Sequence, residues 1–161
     1  MKRTTIAVVA VLAALAAGVA ALAILNGKNA KADQKLRDGD AFLITAGGTG
    51  HKITMEEFQA LDLRDIQANY KKSGKAPETR IYTGLSFAEL LRVKHIDATG
   101  AAAAIFTAAD GYASAITLED ALNEENCFIV LDDEAGPFRM ILARDQFSQR
   151  WCSFLVNVVL E

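Results

Sequence analysis

Three times in this chain a hydroxyl residue stands three places ahead of an acid at the head of a brief apolar run: Thr54 with Glu57, Ser86 with Glu89, and Thr117 with Asp120. The hydroxyl accepts a bond from an unpaired N–H in a helix's first turn, and a glutamate at that spacing reaches back to the cap's own N–H. Each signature therefore opens a helix. Each helix must also be short, because turn or strand signals soon return. The first carries Met55, Phe58 and Leu61, the second buries Phe87, Leu90 and Leu91, and the third runs through Leu122.

The segments between are β-like. Residues 41–45 read as a strand ending in the turn Gly47-Gly48-Thr49-Gly50, which leads on to the first helix. Residues 62–70 lack a decisive pattern, a strand being one reading, and 71–78 read as a loop with Gly74 and Pro77. A strand over 79–83 precedes the second helix. Residues 102–108 and 112–116 flank Asp110-Gly111, a strong hairpin signal. Residues 127–131 and 138–142 form another hairpin around 132–137, and a last strand covers about 153–160. Short strands, short capped helices and no regular βαβ alternation predict an α+β domain with mixed or antiparallel sheets.

Ahead of this domain lies a different kind of sequence. Lys2 and Arg3 are followed by an uncharged apolar stretch over residues 6–25. Twenty such residues span about 30 Å as a helix, the thickness of a bilayer's hydrocarbon core, whereas a cleaved signal peptide has a shorter apolar region. Length thus favours an uncleaved anchor. The alanine content and the small-x-small sites Ala21-Leu22-Ala23 and Ala30-Lys31-Ala32 keep a cleaved peptide open. The division expected is 1–25 as signal anchor or signal peptide, 26–40 as a polar tether and 41–161 as the domain. An amino-terminal apolar segment ahead of a whole domain is usually an export signal. The expected location is therefore the cell membrane, single-pass with the domain outside the cytoplasm, or secretion if the leader is cleaved. Lysines 28, 31 and 35 and Arg37 balance the charge before the stretch, so the positive-inside rule does not decide orientation. The net charge of −3 argues against a nucleic-acid partner, which needs a basic face.

Few residues point to chemistry by themselves. The glycines at 47, 48 and 50 match neither the dinucleotide fingerprint nor the P-loop, since His51 and Lys52 follow Gly50. His51 and His95 are the only histidines and have no acid or cysteine at ligand spacing, so both are expected at the surface or a helix end. Asp132, Asp133 and Glu134 crowd one turn; a solvated hairpin tip is the expectation, a weak cation site the alternative. Cys127 opens an apolar strand and reads as a small buried hydrophobe. Cys152 shares strand parity with Phe154 and Val156 on an apparent inward face. Outside the cytoplasm the two can oxidise, closing a loop of about 25 residues for roughly 3 kcal/mol. Separate buried thiols remain the default, and the spacing leaves pairing open.

The run Tyr82-Thr83-Gly84-Leu85-Ser86-Phe87-Ala88-Glu89-Leu90-Leu91 resembles a signature of the oxidoreductase molybdopterin-binding domain, which has the sulfite-oxidase-like fold. That family shows an aromatic-x-Gly pattern entering a short helix that carries Leu-Leu. Three further runs fall in the family's order: Phe106 to Ile116 with its Asp110-Gly111-Tyr112 turn, Gly136-Pro137-Phe138-Arg139 before an apolar strand, and Arg150-Trp151 before the terminal strand. The resemblance covers roughly 120 residues, enough for one core. It implies the sulfite-oxidase-like fold and, by carry-over, Arg139 and Arg150 as contacts to a pterin phosphate or another small anion.

Catalytic members of that family bind molybdenum through a cysteine thiolate placed before the aromatic-x-Gly run. No cysteine precedes Cys127 here, and the corresponding stretch reads Ile66-Gln67-Ala68-Asn69-Tyr70. Thiolate is a soft charged ligand that oxygen and amide groups do not replace equivalently. The expectation is therefore a non-catalytic binding or accessory module, tethered outside the cytoplasm, with a protein partner or small anionic ligand. The alternative is a molybdopterin-dependent oxidoreductase, or a subunit of one, acting in electron transfer.

Overall fold

The computed structural model describes residues 40–71, 76–134 and 136–161. The expected leader and nearly all of the tether lie outside these residues. β1 (Ala41–Ala46) and β2 (Thr49–Thr54) form an antiparallel hairpin. Its turn uses Gly47 and Gly48 at φ 53° and 79°, a region that costs a residue without a Cβ little. The glycine cluster is thus a hairpin turn, and a strand intervenes before the helix expected directly after it. β2 escaped a reading by pattern because only Ile53 in it is buried; the strand is short and lies at the sheet edge.

All three helices start where their caps place them. α1 (Met55–Gln59) has the complete box: Glu57 N–H donates to Thr54 Oγ1 at 3.2 Å, and Thr54 N–H to Glu57 Oε2 at 2.9 Å. α2 (Phe87–Val93) has half of one. Ser86 Oγ accepts from Glu89 N–H at 3.2 Å, while the Glu89 carboxylate pairs with Arg92 instead of returning to Ser86. In α3 (Leu118–Leu122) Thr117 Oγ1 accepts from Asp120 N–H at 3.1 Å.

The remaining strands are β3 (Arg64–Tyr70), β4 (Glu78–Ser86), β5 (Ala103–Ala108), β6 (Ala113–Thr117), β7 (Cys127–Leu131), β8 (Phe138–Leu142) and β9 (Leu155–Leu160). They build a five-stranded sheet in the order β2-β1-β9-β5-β6 and a four-stranded sheet in the order β3-β4-β7-β8. β9 enters between β1, to which it is parallel, and β5, to which it is antiparallel. The undecided stretch 62–70 is resolved as β3, and the strand expected at 79–83 runs on through Ser86. An α+β fold with one mixed and one antiparallel sheet is the result. These elements belong to the compact unit Leu36–Glu161. Among the described residues no helix is long and apolar enough to cross a membrane.

Aromatic rings join the two sheets. Phe138 of β8 meets Phe42 of β1 at 4.8 Å and Phe58 of α1 at 5.4 Å, both edge to face, the geometry favoured by the ring quadrupole. Phe87 of α2 meets Phe106 of β5 at 5.1 Å in the same way. All five rings are fully buried.

The last strand departs from simple alternation. Thr107 pairs with Asn157 but Ala108 with Leu155, so Val156 is an extra residue, a β-bulge. Leu155 and Val158 are consequently both buried despite opposite parity, while Phe154 and Val156 are only half-buried. The inward parity expected for Cys152, Phe154 and Val156 therefore fails, and Phe154 adopts φ 50°. Cys152 is buried for another reason: it bridges to Met140 on the outer side of β8. Cys127 pairs with Leu142 on the other side. With strands about 4.8 Å apart and the two contacts offset by two residues along β8, the cysteines are separated by more than about 10 Å, beyond the roughly 7 Å between Cα atoms that a disulfide spans. Both are buried free thiols.

Candidate functional site

Gly84 ↔ Val130 ↔ Arg139 is one line across β4, β7 and β8, so these residues share a face of the four-stranded sheet. Gly84 is the glycine of the aromatic-x-Gly run, and a Cβ there would lie 2.3 Å from the Ile129 carbonyl oxygen. That close approach to the Ile129 carbonyl and the Val130 backbone lets β7 lie against β4. Arg139 is buried at 3% exposure. Its Nη1 donates to the Tyr82 hydroxyl at 3.1 Å, and its Nη2 lies 2.7 Å from Asp132 Oδ2. The approach to Asp132 is an ion pair, off the angle of a hydrogen bond; Oδ2 and the Arg139 Nε lack a hydrogen-bond partner. Burial pushes the Tyr82 hydroxyl above its ordinary value, with the Arg139 charge opposing.

Aromatic rings wall this pair. The Arg139 guanidinium sits 5.5 Å from the Tyr70 ring centre and 5.8 Å from that of Tyr82. Trp151 packs on both rings, at 6.0 Å from Tyr70 and 5.9 Å from Tyr82, and donates its indole N–H to the Leu142 carbonyl at 3.2 Å. The Asp110-Gly111-Tyr112 hairpin holds the segment that carries Trp151. Tyr112 Oη donates to the Gln149 carbonyl at 2.8 Å, and Ser114 Oγ to the Arg150 carbonyl at 2.6 Å. Gly136 completes the set: at φ 91° it lies under the Phe154 ring, where a Cβ would come within 1.7 Å. The four runs that carry the family resemblance thus meet in one place and hold one another.

Beside the buried pair an open groove of about 600 Å³ lies between β4 and the β7–β8 turn. Ile81, Thr83 and Leu131 supply apolar lining, and Arg80, Asp132, Asp133 and Glu134 supply charge. Arg80 stacks at 4.2 Å on Tyr70 and is bound by Glu134 and by Glu78, which hold its guanidinium above the ordinary arginine value. The turn expected as a solvated tip is therefore partly internal, because Asp132 is only 7% exposed and faces Arg139.

The carried-over residues are placed as follows. Arg139 is in this cluster. Arg150 ends the 3-10 turn Ser148–Arg150, is half exposed and donates through Nε to Asp145 at 2.9 Å. The two arginines bind different carboxylates. His51 lies on β2 half-buried, and His95 is exposed beyond the end of α2 at φ 53°. Among the described residues no group of three or more metal-ligating side chains is present. Asp132, Tyr70 and Tyr82 carry the cluster: the sequence marks Asp132 only as a turn acid and Tyr82 only as the aromatic of the aromatic-x-Gly run, and it gives Tyr70 no role.

A pterin phosphate and a thiolate-bound metal do not suit this donor set. Among the described residues beside the groove, the Arg80 guanidinium is bound by Glu134 and Glu78 and the Arg139 guanidinium is faced by Asp132, so both cations are already engaged by carboxylates of the chain. β3 supplies no sulfur, and burial pushes the Cys152 thiol up to about 12 and the Cys127 thiol higher. Neither thiol is a ready thiolate.

No protein-family model matches the chain, and no curated protein matches it. Among solved structures it is similar to the sulfane dehydrogenase SoxCD from Paracoccus pantotrophus, with 10% identity and a TM-score of 0.63. The likeness covers 77% of this chain and 38% of that one. The domain has a SoxCD-like fold. At this identity the likeness speaks for fold alone, and it supports the sulfite-oxidase-like α+β class expected from the four runs.

Proposed function

We propose that the chain is a non-catalytic binding or accessory module built on the molybdopterin-binding-domain fold, tethered outside the cytoplasm by its apolar amino-terminal segment. The observation that carries the non-catalytic reading is the Arg139 site. A guanidinium carried over as a phosphate contact is buried, faced by Asp132 and bonded to Tyr82, so its charge is spent inside the protein. Breaking such a pair to serve an incoming phosphate costs about 3–5 kcal/mol. The tether and the location rest on the sequence of residues 1–40 alone. A protein partner, or a small ligand taken by the groove beside Asp132, is the matching mode of action.

The test is elemental analysis of the full chain purified from a molybdenum-replete host able to assemble the pterin cofactor. Substoichiometric background molybdenum is the expected result. One molybdenum per chain, lost on substituting Arg139, would instead establish the oxidoreductase alternative.

A further inference from the structure

β4 outruns its neighbour. It begins at Glu78, but its pairing with β7 covers only Gly84 ↔ Val130 through Ser86 ↔ Phe128. β7 turns off toward β8 at Asp132, whose N–H donates to the Pro137 carbonyl at 3.2 Å and whose carboxylate faces Arg139. The groove between β4 and that turn is the space left by the missing length of strand.

The alternation of an antiparallel ladder fixes which backbone groups point into this space. Just beyond the two ends of β7, Asp132 donates to Pro137 and Asn126 accepts from Ala143. Phe128 and Val130 lie between them with the same parity, so their N–H and C=O turn to β8. Ile129 and Leu131 therefore turn theirs to β4, where the register sets Ile129 against Leu85. Ile81 and Thr79 share the parity of Leu85 and aim the same way, whereas Tyr82 and Arg80 bond to β3. On the groove side neither Ile81 nor Thr79 has a backbone partner among the described residues. Such an edge is a template for another strand. The side chains agree: Ile81 stands 63% exposed, an apolar group beside a bare edge. The hydroxyls of Thr79 and Thr83 are taken up within the sheet, by Asn69 and Asp65 of β3 at 3.3 Å.

We propose that this edge binds an extended segment of a partner protein, which adds a strand to β4 in the line of β7. The inference rests on the reading of the chain as a binding module and names its mode of binding. From Thr79 to Thr83 the edge is about 14 Å long, room for about five residues of the segment. Main-chain bonds to Ile81 supply the affinity, and alternate side chains supply the choice of partner. Charge specifies one of them. Arg80 is bound by Glu134 and Glu78, and Asp132 faces Arg139. Asp133, also lining the groove, is exposed and has no ion pair among the described residues. The segment therefore carries an apolar side chain beside Ile81 and a lysine or arginine near Asp133.

Amide hydrogen exchange, followed by NMR on the full chain in mild detergent, tests the edge directly. The Ile81 N–H should exchange near the rate of a free peptide, and the Tyr82 N–H at least about a hundredfold more slowly. An Ile81 amide as protected as that of Tyr82 would mean a filled edge and would overturn the proposal. The probe is an end-blocked octapeptide of alternating valine and threonine with arginine at its second position. It should slow Ile81 exchange about tenfold at saturation. A central proline, which removes a strand donor, should abolish that protection. Asp133→Asn should weaken the arginine peptide severalfold and leave its glutamine counterpart unchanged. Protection that survives the proline, or none from the arginine peptide at millimolar concentration, would overturn the proposal. Molybdenum content is read separately, so a failed edge leaves the non-catalytic reading standing.

Discussion

At Gly84 the backbone of β4 comes so near β7 that a methyl group would sit 2.3 Å from a carbonyl oxygen. Gly84→Ala is therefore expected to cost about 3 kcal/mol, the upper range for overpacking, read as a lower urea midpoint at unchanged slope. The neighbouring ion pair behaves differently. Arg139→Met leaves the Asp132 carboxylate buried without its cation and should cost about 3–5 kcal/mol, whereas adding Asp132→Leu should restore much of the loss. A double-mutant cycle checks this; additive losses would mean that the two groups do not interact. The sequence marks Arg139 through the Gly-Pro-Phe-Arg run but not its use. Whether a guanidinium faces solvent, a phosphate or a carboxylate depends on what the turn before β8 brings to it, and no spacing encodes that.

At the scale of the element, the helix caps were legible because both partners of each bond lie within four residues. In the complete box of α1 the Thr54 N–H, and after it the Lys94 ammonium at 2.9 Å, hold the Glu57 carboxyl at about 2. A carboxyl held below its usual value stabilises the fold once it is ionised. That contribution is whole above about pH 4.5 and is lost as pH falls toward about 2. Glu57→Gln should flatten the acid limb of a melting-temperature profile within that window and leave a difference from the parent that is constant above it. Thr54→Ala should cost about 1 kcal/mol of stability at neutral pH, measured by denaturant titration. Half of the box at α2 is missing because Arg92 competes for Glu89, a rivalry within the helix that pattern reading passes over. β2 went unseen for a related reason: an edge strand with one buried side chain has almost no periodicity.

Across the whole molecule, the two cysteines report how the layers close. Each is buried beside β8, from opposite sides, and desolvation raises both thiols, Cys152 to about 12. At pH 8 both stay protonated and enclosed, so alkylation by iodoacetamide should proceed only through opening of the domain and should follow global unfolding in urea. Labelling in native buffer at the rate of a free thiol would contradict this packing. The sequence alone settled what is local: the three cap positions, the hairpins at Asp110-Gly111 and over 127–142, and the α+β class, each set by bonds or alternation within a few residues. Tertiary structure decided the rest. It placed β9 between β1 and β5, with a bulge that breaks the expected parity, and it kept the cysteines apart. It also turned Arg139 inward to Asp132, because charge burial and strand order depend on partners distant in the chain, whose meeting is paid for only when the whole core forms.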